Sequence, residues 1–493
     1  MKRILALVLA ICMILCIFSA CDKKSKKRDS FDTLAVGVGR ADITPEDWQG
    51  AHINGGGDPN RLAEGILDEQ VVTCVAVTDE NNQTMLFFHQ DVHNPVAEKY
   101  TNDARQLIAD ATGVAFENIY MAATHTHSAL GVGDTTNEKN EAFNKRYFEA
   151  IVEAAQQAMD DRAPATMFAG AMNAQEENGG QAMAFVRHYK LTDGSIAGSN
   201  FGNYSNGQII GFPYEADNEA QLIKFEREGK DPVLMMNWPA HSTFHGTTAL
   251  RNISADYPYY LRTYIEENTD MTVAIFLGGA GDQTPHAGLF PAANHGLECA
   301  DYGYKLGELV TNFINTDGNM TQVEDGAFNH KSVTITVATN KIPAEQQDLA
   351  DKAEDVYKYF LENGQAEGNT YALQNGFQSC YEARSFYNRL DLPDSLDITI
   401  DVLSLGNMSF AVAPYEMSGE SARYIKNAIA ESSEFDMAFI IAYCQNNLGY
   451  IPSVSNFEYN NGRGSYEAYD CSYAKGTCEQ LAETYVNSIL ELK

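Results

Sequence analysis

Positive charge is scarce in this chain of 493 residues. Lys and Arg number 34 against 67 Asp and Glu, which gives a formal net charge of −33 at pH 7. Proteins that bind nucleic acid neutralise phosphates with clustered Lys and Arg, so this composition argues against nucleic acid as a partner. Solubility outside the cell is a sufficient reason for the acidity.

Metal-binding cysteine pairs are also missing. None of the nine cysteines belongs to a C-x-x-C pair, which argues against a zinc ribbon. Three of the nine lie near the N-terminus, and we expect most of the other six to be buried thiols. A disulfide between Cys471 and Cys478 would close a short loop and is the alternative for that pair.

Long apolar runs are absent after the N-terminus, so the sequence predicts no later transmembrane helix. The first 21 residues, MKRILALVLAICMILCIFSAC, combine two basic residues, an apolar run and a small-residue site. This pattern predicts a lipoprotein-type signal peptide that ends at the lipobox residue Cys21. Phe18 stands where such sites usually have Leu, which leaves ordinary secretion as the alternative.

A lipidated Cys21 would make the protein an extracytoplasmic lipoprotein of a bacterial cell membrane. Residues 22–33 are then a polar tether, with lysines close to the anionic membrane surface. We expect membrane contact only through this lipid and tether.

Strand-like and helix-like segments alternate along residues 34–493. Helical periodicity predicts helices near residues 95–112, 138–161, 254–268, 297–315, 343–362, 417–432 and 474–491. This mix predicts an α/β fold, a large single domain of mixed β-sheets flanked by helices, rather than a strict βαβ repeat. The predicted strands are short and rich in β-branched or aromatic residues: LAVGVGRADI, VVTCVAVTD, TMLFFHQD, NIYMAATH, ATMFAGAM, AQLIKFER, VLMMNWPAH, TVAIFLGG, KSVTITVAT, LDITIDVLSLG, MSFAVAP and MAFIIAYC.

The composition of two segments that connect predicted elements indicates their structure. Residues 175–215 are rich in Gly, Asn and Ser with little apolar periodicity, which predicts a long surface excursion. The segment SLGNMSF predicts a tight hairpin turn between two strands.

Two histidines follow the apolar run IYMAA in the segment ATHTHS. Residues i and i+2 of a strand face the same side, so His125 and His127 are predicted to project together at the strand's carboxyl end. Open α/β sheets bind ligands at that end. Both imidazoles would bind a metal, or one would bind it while the other serves a reacting group. A chance pair of surface histidines is the alternative.

Two other predicted strands end in the same way. VLMMNWPAHSTFHG carries His241, and its second histidine, His245, shares a site only if the loop curls back. TVAIFLGGAGDQTPHAG leads into a Gly-rich loop with Asp282, Thr284 and His286. Three strands that deliver metal-capable residues into loops favour one common site. The alternative is that these residues are caps and turn residues.

Taken in order, these segments resemble the neutral/alkaline non-lysosomal ceramidases, which are zinc-dependent amidases. The resemblance covers about residues 35–470, and the succession of motifs makes it specific. It implies a ceramidase-like zinc hydrolase domain over residues 34–493. The motifs are VGVGRADITP, AEGILDEQVVTCVAV, FHQDV, ATHTHS, NWPAHST with ISADYPYYLR, GAGDQTP, APYEMSGESAR, and NNLGYIPS with GSYEAYD.

The resemblance implies one catalytic Zn²⁺ ion. His125 and His241 match the family's zinc histidines. Glu416 in PYEMSGE matches its ligand glutamate, and Tyr450 in LGYIP matches its tyrosine ligand. Without the resemblance, Glu416 reads equally well as an acidic residue at a helix start, and Tyr450 as a packed tyrosine. Nitrogen and oxygen ligands with one open position suit a catalytic zinc site.

The resemblance also implies residues that stabilise the oxyanion formed when zinc-activated water attacks an amide carbonyl. His127, Arg187 in FVRHY, and Tyr466 match these positions. Tyr459 is the alternative to Tyr466, because this chain has a short insertion relative to the family before that tyrosine.

Asp282 and Thr284 match an Asp-x-Ser motif of the family and are further candidate catalytic residues. Threonine keeps the hydroxyl but adds a methyl group, which favours a positioning role over a nucleophile. The chain also departs from the family where THTHSALGVG replaces THTHSGPGG. The family's C-terminal β-sandwich is expected to be absent.

These inferences predict a zinc-dependent amidohydrolase that cleaves the amide bond of ceramide or a related N-acyl lipid with zinc-activated water. One alternative is a zinc amidase or esterase that acts on a water-soluble substrate. Another is a lipoprotein that binds a ligand without catalysis. The expected partner is therefore a lipid or small-molecule substrate.

Overall fold

The structure is a computed structural model that describes residues 30–493, except 56–57, 59, 95–96, 199–205, 247–249 and 289–295. The predicted signal peptide and most of the predicted tether lie outside the described residues. Within the described part, the chain has no helix with the length and apolar character needed to cross a membrane.

Two main sheets contain most of the strands. Their strands are β1 (Ala35–Asp42), β2 (Val71–Thr78), β3 (Thr84–Gln90), β4 (Ile119–Ala123), β5 (Ala163–Asn173), β6 (Glu219–Arg227), β7 (Lys230–Trp238), β8 (Thr272–Leu277), β9 (Thr321–Gln322), β10 (Phe328–Ala338), β11 (Ser395–Leu405), β12 (Met408–Val412) and β13 (Met437–Ile441).

The main helices are α1 (Glu98–Thr112), α2 (Glu138–Asp160), α3 (Tyr257–Asn268), α4 (Cys299–Ile314), α5 (Gln347–Gln374), α6 (Cys380–Arg389), α7 (Gly419–Ser432) and α8 (Thr477–Leu490). Short helical turns occur at Phe116–Asn118, Ala174–Glu177, Asn206–Gln208, Ala344–Gln346, Val454–Glu458, Tyr459–Gly462 and Tyr466–Tyr469.

Short strands lie in the connecting loops and form small separate pairings. They are Ile53–Asn54, Gly65–Ile66, Ala129–Leu130, Phe185–Val186, His188–Leu191, Ile196–Gly198, Ile209–Gly211, Asn252–Ile253, Gln283–Thr284, Glu416–Met417 and Tyr450–Ile451.

The larger sheet has the strand order β8-β7-β6-β5-β1-β2-β3-β4, with β9 also paired to β5, among the described residues. Its central pairings are antiparallel, whereas β3 with β4 and β7 with β8 are parallel. The second sheet has the order β10-β11-β12-β13, and only its last pairing is parallel. The predicted mixed α/β fold is therefore confirmed.

Four layers follow from the alternation of side chains along the strands. On β3, Leu86 and Phe88 pack with α1 and α2, whereas Phe87 faces the second sheet and packs near Phe410. Helices α3 and α4 cover the other half of the same outer face. On β11, Ile400 packs with α7 and α8 on the far side of the second sheet. The order is helix, sheet, sheet, helix.

A buried ionic network joins the two ends of the larger sheet, where β8 contacts β3 and β4. The Nδ1 of His89 accepts from the Ile275 N–H at 2.8 Å, so its Nε2 carries the proton and donates to Asp91 at 2.8 Å. Arg262 on α3 donates to the same carboxylate at 3.0 Å. Burial alone would raise the pKa of Asp91, but Arg262 and His89 lower it to about 2.

The predicted elements agree closely with the observed ones. All twelve predicted strands and all seven predicted helices are present. Helix α5 continues well past residue 362, through a kink at Gly364, and α6 was not predicted. The predicted excursion at 175–215 contains several of the short strands, and Gly406 with a φ of +55° forms the predicted hairpin turn.

The cysteine prediction is also confirmed for the described residues. All six described cysteines are free and buried, including Cys471 and Cys478. The disulfide alternative for that pair is therefore not observed.

Replacing Arg262 with Met should leave Asp91 buried without its cation. We expect this change to lower the free energy of unfolding by about 3–5 kcal/mol, because an unpaired buried charge is costly. Urea unfolding followed by circular dichroism measures the effect. Arg146→Met is the matched control, since the Arg146–Glu153 pair on α2 is exposed and should contribute less than about 1 kcal/mol. Equal losses in the two variants would contradict a role for the network.

Candidate metal centre

The loop after β4 carries His125 in an unusual backbone conformation. The strand ends at Ala123, and His125 has a φ of +55°, in the left-handed region that non-glycine residues seldom adopt. The expectation that His125 and His127 project from one face of a strand is therefore wrong. The turn still keeps the two imidazole rings together, with centroids 5.0 Å apart.

The orientation of the His125 ring is fixed by Asn94. Its Nδ1 donates to the Asn94 side-chain oxygen at 2.5 Å, which leaves the lone pair on Nε2 free. Burial, with His93 and His127 nearby, lowers the pKa of His125 well below its usual value. The imidazole is therefore neutral at physiological pH, the form that binds metal ions.

His241 lies in the loop after β7 and has the same kind of support. Its Nδ1 donates to the carbonyl oxygen of Ala280 at 2.5 Å, so its Nε2 also presents a lone pair. Its backbone N–H donates to the carbonyl oxygen of Gln283 at 3.1 Å. The Gly-rich loop after β8 therefore fixes both the backbone and the ring of His241.

Both Nε2 atoms point at one oxygen of Glu416. The distance to Oε2 is 3.1 Å from His241 and 3.5 Å from His125. Lone pairs that converge on a carboxylate oxygen repel one another unless a cation or a proton lies between them. Ligands of a Zn²⁺ ion at about 2.0–2.3 Å lie about 3.3–3.8 Å apart, which is close to these separations. The three residues therefore fit a metal ion.

Tyr450 reaches the same place through a short strand pairing. Glu416–Met417 pairs in parallel with Tyr450–Ile451, and Glu416 lies directly opposite Tyr450. The Tyr450 ring stacks on His241 with centroids 6.4 Å apart. Burial and the nearby Glu416 raise the pKa of Tyr450 well above its usual value. The structure thus brings together all four predicted metal ligands.

Arg187 and Tyr466 lie beside Tyr450. The guanidinium carbon of Arg187 is 5.5 Å from the ring centre of Tyr450 and 5.8 Å from that of Tyr466. The two tyrosine rings are 5.3 Å apart. The alternative residue, Tyr459, instead packs against His188 with ring centroids 5.1 Å apart. Of the two tyrosines, Tyr466 is the one adjacent to the predicted ligands.

Arg187 is held by a buried carboxylate. It donates from Nη2 to Glu467 at 2.9 Å and to the carbonyl oxygen of Gly281. Burial alone would raise the pKa of Glu467, but His188 and Arg187 hold it well below its usual range. The Nε of Arg187 is buried without a hydrogen-bond partner among the described residues. The guanidinium itself lies over the Tyr450 ring.

His127 offers a second unused group. Its Nε2 is buried and has no hydrogen-bond partner in the described part of the chain. Its backbone sits against two glycines: a Cβ added to Gly55 would lie 2.6 Å from the His127 Cα, and one added to Gly246 would lie 2.8 Å from its Cβ. These close approaches fix the Cα and Cβ atoms from which the imidazole extends.

Asp282 and Thr284 make contacts that support the surrounding loops. Asp282 accepts from the Gly419 N–H at the start of α7 at 2.8 Å and from the Tyr214 hydroxyl at 2.6 Å. The Thr284 hydroxyl is used in a turn with the backbone of His286 at 3.3 Å. The alternative interpretation of these two residues, as cap and turn residues, describes their observed contacts.

Gly281 in GAGDQTP lies where two backbone segments approach closely. A Cβ added to Gly281 would lie 2.4 Å from the carbonyl oxygen of Glu416, and the Gly281 N–H donates to Met417 at 2.7 Å. The loop must approach the backbone of Glu416 this closely to carry Ala280 to His241.

Sequence reasoning missed two residues that pack against His125. The His93 ring lies 4.1 Å from His125, and the Tyr443 ring lies 4.5 Å from it. The Tyr443 hydroxyl is buried without a partner among the described residues. His93 follows β3 by three residues, so the criterion applied to the other histidines, a position just after a predicted strand, also identifies it. Nothing in the sequence marks Tyr443.

Comparisons with known proteins identify the family and the fold. A family model described as neutral/alkaline non-lysosomal ceramidase, N-terminal, matches residues 34–301, which is more than half of the chain. A crystal structure of neutral ceramidase from Pseudomonas aeruginosa is similar, with a TM-score of 0.66, 16% identity, and coverage of 94% of this chain and 75% of that one. A structure described as ceramidase complexed with C2 has a TM-score of 0.65, 15% identity and the same coverage. At these identities, the similarity shows the fold. None of the curated proteins matches the chain.

Replacing Asn94 with Ala should weaken binding of Zn²⁺ by about 10–100-fold, because the acceptor that orients His125 is lost. Competition with a chromophoric chelator measures the affinity. Asn312→Ala, at an exposed position on α4, is the control and should leave the affinity unchanged. Equal affinities for wild type and Asn94→Ala would show that this hydrogen bond does not support the metal centre.

Proposed function

The chain belongs to the neutral/alkaline non-lysosomal ceramidase family, and on this basis we propose that it is a zinc-dependent hydrolase of ceramide or a related N-acyl lipid. The bond cleaved is the amide. The observation that supports this most directly is the convergence of the His125 and His241 Nε2 atoms on Glu416.

Four residues would hold the zinc ion: His125, His241, Glu416 and Tyr450. A bound Zn²⁺ would supply Lewis-acid activation of water at neutral pH. The protein's own part is to orient both imidazoles, through Asn94 and Ala280, and to keep them buried. Tyr450 completes the set because its strand pairing aligns it with Glu416.

Three further residues would act on the substrate. His127 and Arg187 each have a buried nitrogen without a partner in the described structure, and Tyr466 packs against Tyr450. A preorganised donor in a dry site stabilises a developing oxyanion strongly, and loss of one donor costs about 10²–10³-fold in turnover. We assign this role to His127, Arg187 and Tyr466. Asp282 and Thr284 would act indirectly, by positioning the loops around the site.

A water-soluble amide or ester is the alternative substrate for the same centre. The departure from the family after Ser128, where Ala and Leu replace Gly and Pro, favours a change in what the site accepts. Attachment to a membrane through Cys21 remains part of the proposal, because it would keep the enzyme next to a lipid substrate.

The test is release of fatty acid from a ceramide by the purified full-length protein, after chelation and again after zinc is restored. We expect release that is lost with chelation and returns with zinc. Protein that holds zinc but releases no fatty acid would contradict the ceramide assignment and favour a soluble substrate. Release that survives chelation would contradict zinc dependence.

His125→Ala and His241→Ala should each remove zinc and activity together, because each variant deletes a ligand. Zinc content measured by mass spectrometry and turnover on the same preparations test this. His330→Ala, on β10 outside the centre, is the control and should keep both. Retention of zinc in both ligand variants would refute the assignment of the metal site.

Tyr466→Phe should lower turnover by about 10²-fold or more while zinc content stays unchanged, because only a hydroxyl donor is lost. Tyr459→Phe should have little effect, since that ring packs on His188. Steady-state kinetics on the two variants, with zinc analysis, makes the comparison. The reverse result would transfer the catalytic role to Tyr459.

A further inference from the structure

A second group of potential metal ligands lies behind the loop that carries His241. One imidazole nitrogen of His245, a carboxylate oxygen of Asp256 and the Sγ of Cys299 are all within 4.8 Å of one another. The loop after β7 therefore does not curl back to bring His245 into the first centre. Instead it carries the two histidines to different places.

The three side chains come from separate elements: the loop after β7, the start of α3 and the start of α4. Asp256 caps the start of α3, where its carboxylate accepts the Tyr257 N–H at 2.8 Å. Its other oxygen accepts the backbone N–H of His245 at 2.8 Å. Cys299 is the first residue of α4 and is 5% exposed. The Asp256 carboxylate is thus fixed by backbone N–H groups before any ligand is present, and the backbone of His245 is fixed with it.

Asp68 fixes the segment that leads to Asp256. Its carboxylate accepts from the Ser254 hydroxyl at 2.5 Å and from the Ala255 N–H at 2.6 Å. This arrangement places a second carboxylate behind the group and leaves its polar atoms occupied. Asp68 is therefore a support for the segment and not one of the donors.

The imidazole of His245 has an unused nitrogen. Its Nε2 is buried and has no hydrogen-bond partner among the described residues. A buried polar atom without a partner is costly, and a bound ion or an equivalent partner removes that cost. This observation is independent of the clustering of the three donors.

We propose that His245, Asp256 and Cys299 form a second zinc site, distinct from the first centre. Thiolate, imidazole and carboxylate are the three ligand types that zinc takes in proteins. Zinc ligands lie about 3.3–3.8 Å apart, so side-chain shifts of about 1 Å close the group around an ion. With three protein ligands, the fourth position is filled by water.

The contacts argue against a cysteine nucleophile at this place. A nucleophilic triad needs its carboxylate on the imidazole N–H, to orient the base. Asp256 instead accepts from backbone N–H groups of His245 and Tyr257. Cys299 is also buried, whereas reactive cysteines are partly exposed.

The second site would stabilise the first. The carbonyl oxygen of His245 accepts from Arg61 at 2.8 Å and from the Ser128 hydroxyl at 2.8 Å. The next residue, Gly246, packs against the His127 Cβ. An ion at His245 would therefore fix the loop on which the position of His127 depends, without touching the substrate.

The test uses the full-length protein stripped of metal and reloaded with Co²⁺. Cobalt bound to a thiolate absorbs strongly in the near ultraviolet, and the proposed ligands of the first centre include no sulfur. We expect two ions per chain and a thiolate-to-cobalt band. Cys299→Ser and His245→Ala should lose the band and one ion, whereas His125→Ala should lose one ion and keep the band.

Cys380→Ser is the matched control, because Cys380 is also buried and also begins a helix, α6. It should keep both ions and the band. Absence of the band from the wild-type protein, or its persistence in Cys299→Ser, would overturn the proposal.

If Cys299→Ser does not fold, zinc X-ray absorption of the wild-type protein makes the same test. A sulfur scatterer is expected, and a spectrum with nitrogen and oxygen alone would overturn the proposal. Neither measurement depends on ceramide hydrolysis, so failure of the proposed function and failure of this site are distinguishable.

Discussion

The buried pair of Asp91 and Arg262 is the interaction on which the arrangement of the histidines depends. The larger sheet ends in β4 on one side and β8 on the other, and these ends carry the segments that lead to His125 and to the loop holding His241. Asp91 follows β3, beside β4, and accepts from Arg262 on α3 and from His89, whose other ring nitrogen accepts from Ile275 on β8. Buried charges are stable only when paired, so this network specifies one relative position of the two sheet ends.

The candidate metal centre follows the same principle, with lone pairs in the place of charges. Each ring has its Nδ1–H taken by an oxygen, Asn94 for His125 and Ala280 for His241, so each presents only an acceptor towards Glu416. The set is polar and buried, and a cation between the three residues would complete it. His245, in the same loop as His241, also has a buried ring nitrogen without a hydrogen-bond partner in the described structure. Incomplete buried donor sets are rare in folded proteins, which is why they indicate ligand sites.

Most of the secondary structure could be predicted, because local periodicity reports burial on one face of an element. The strands were found because each is short and apolar and ends at a turn residue. Helix α6 was missed because it follows α5 after a short connection and packs mainly on it. The two-residue strands were missed because Glu416 and Tyr450 are paired only by tertiary contacts, and two residues carry no periodic signal.

The sequence by itself determined the mixed α/β fold, the ends of the strands and, through the order of its motifs, the family. The four metal ligands that the resemblance implies stay a prediction. Only the tertiary structure decided which polar residues meet. It placed Tyr466 beside Tyr450 and Tyr459 beside His188, it used Asp282 to cap α7, and it sent His245 to Asp256 and Cys299. These contacts join residues far apart in the chain. Their geometry is set by the stacking of the two sheets and by the Asp91 network that joins the ends of the larger sheet. Spacing along the sequence carries no information about either.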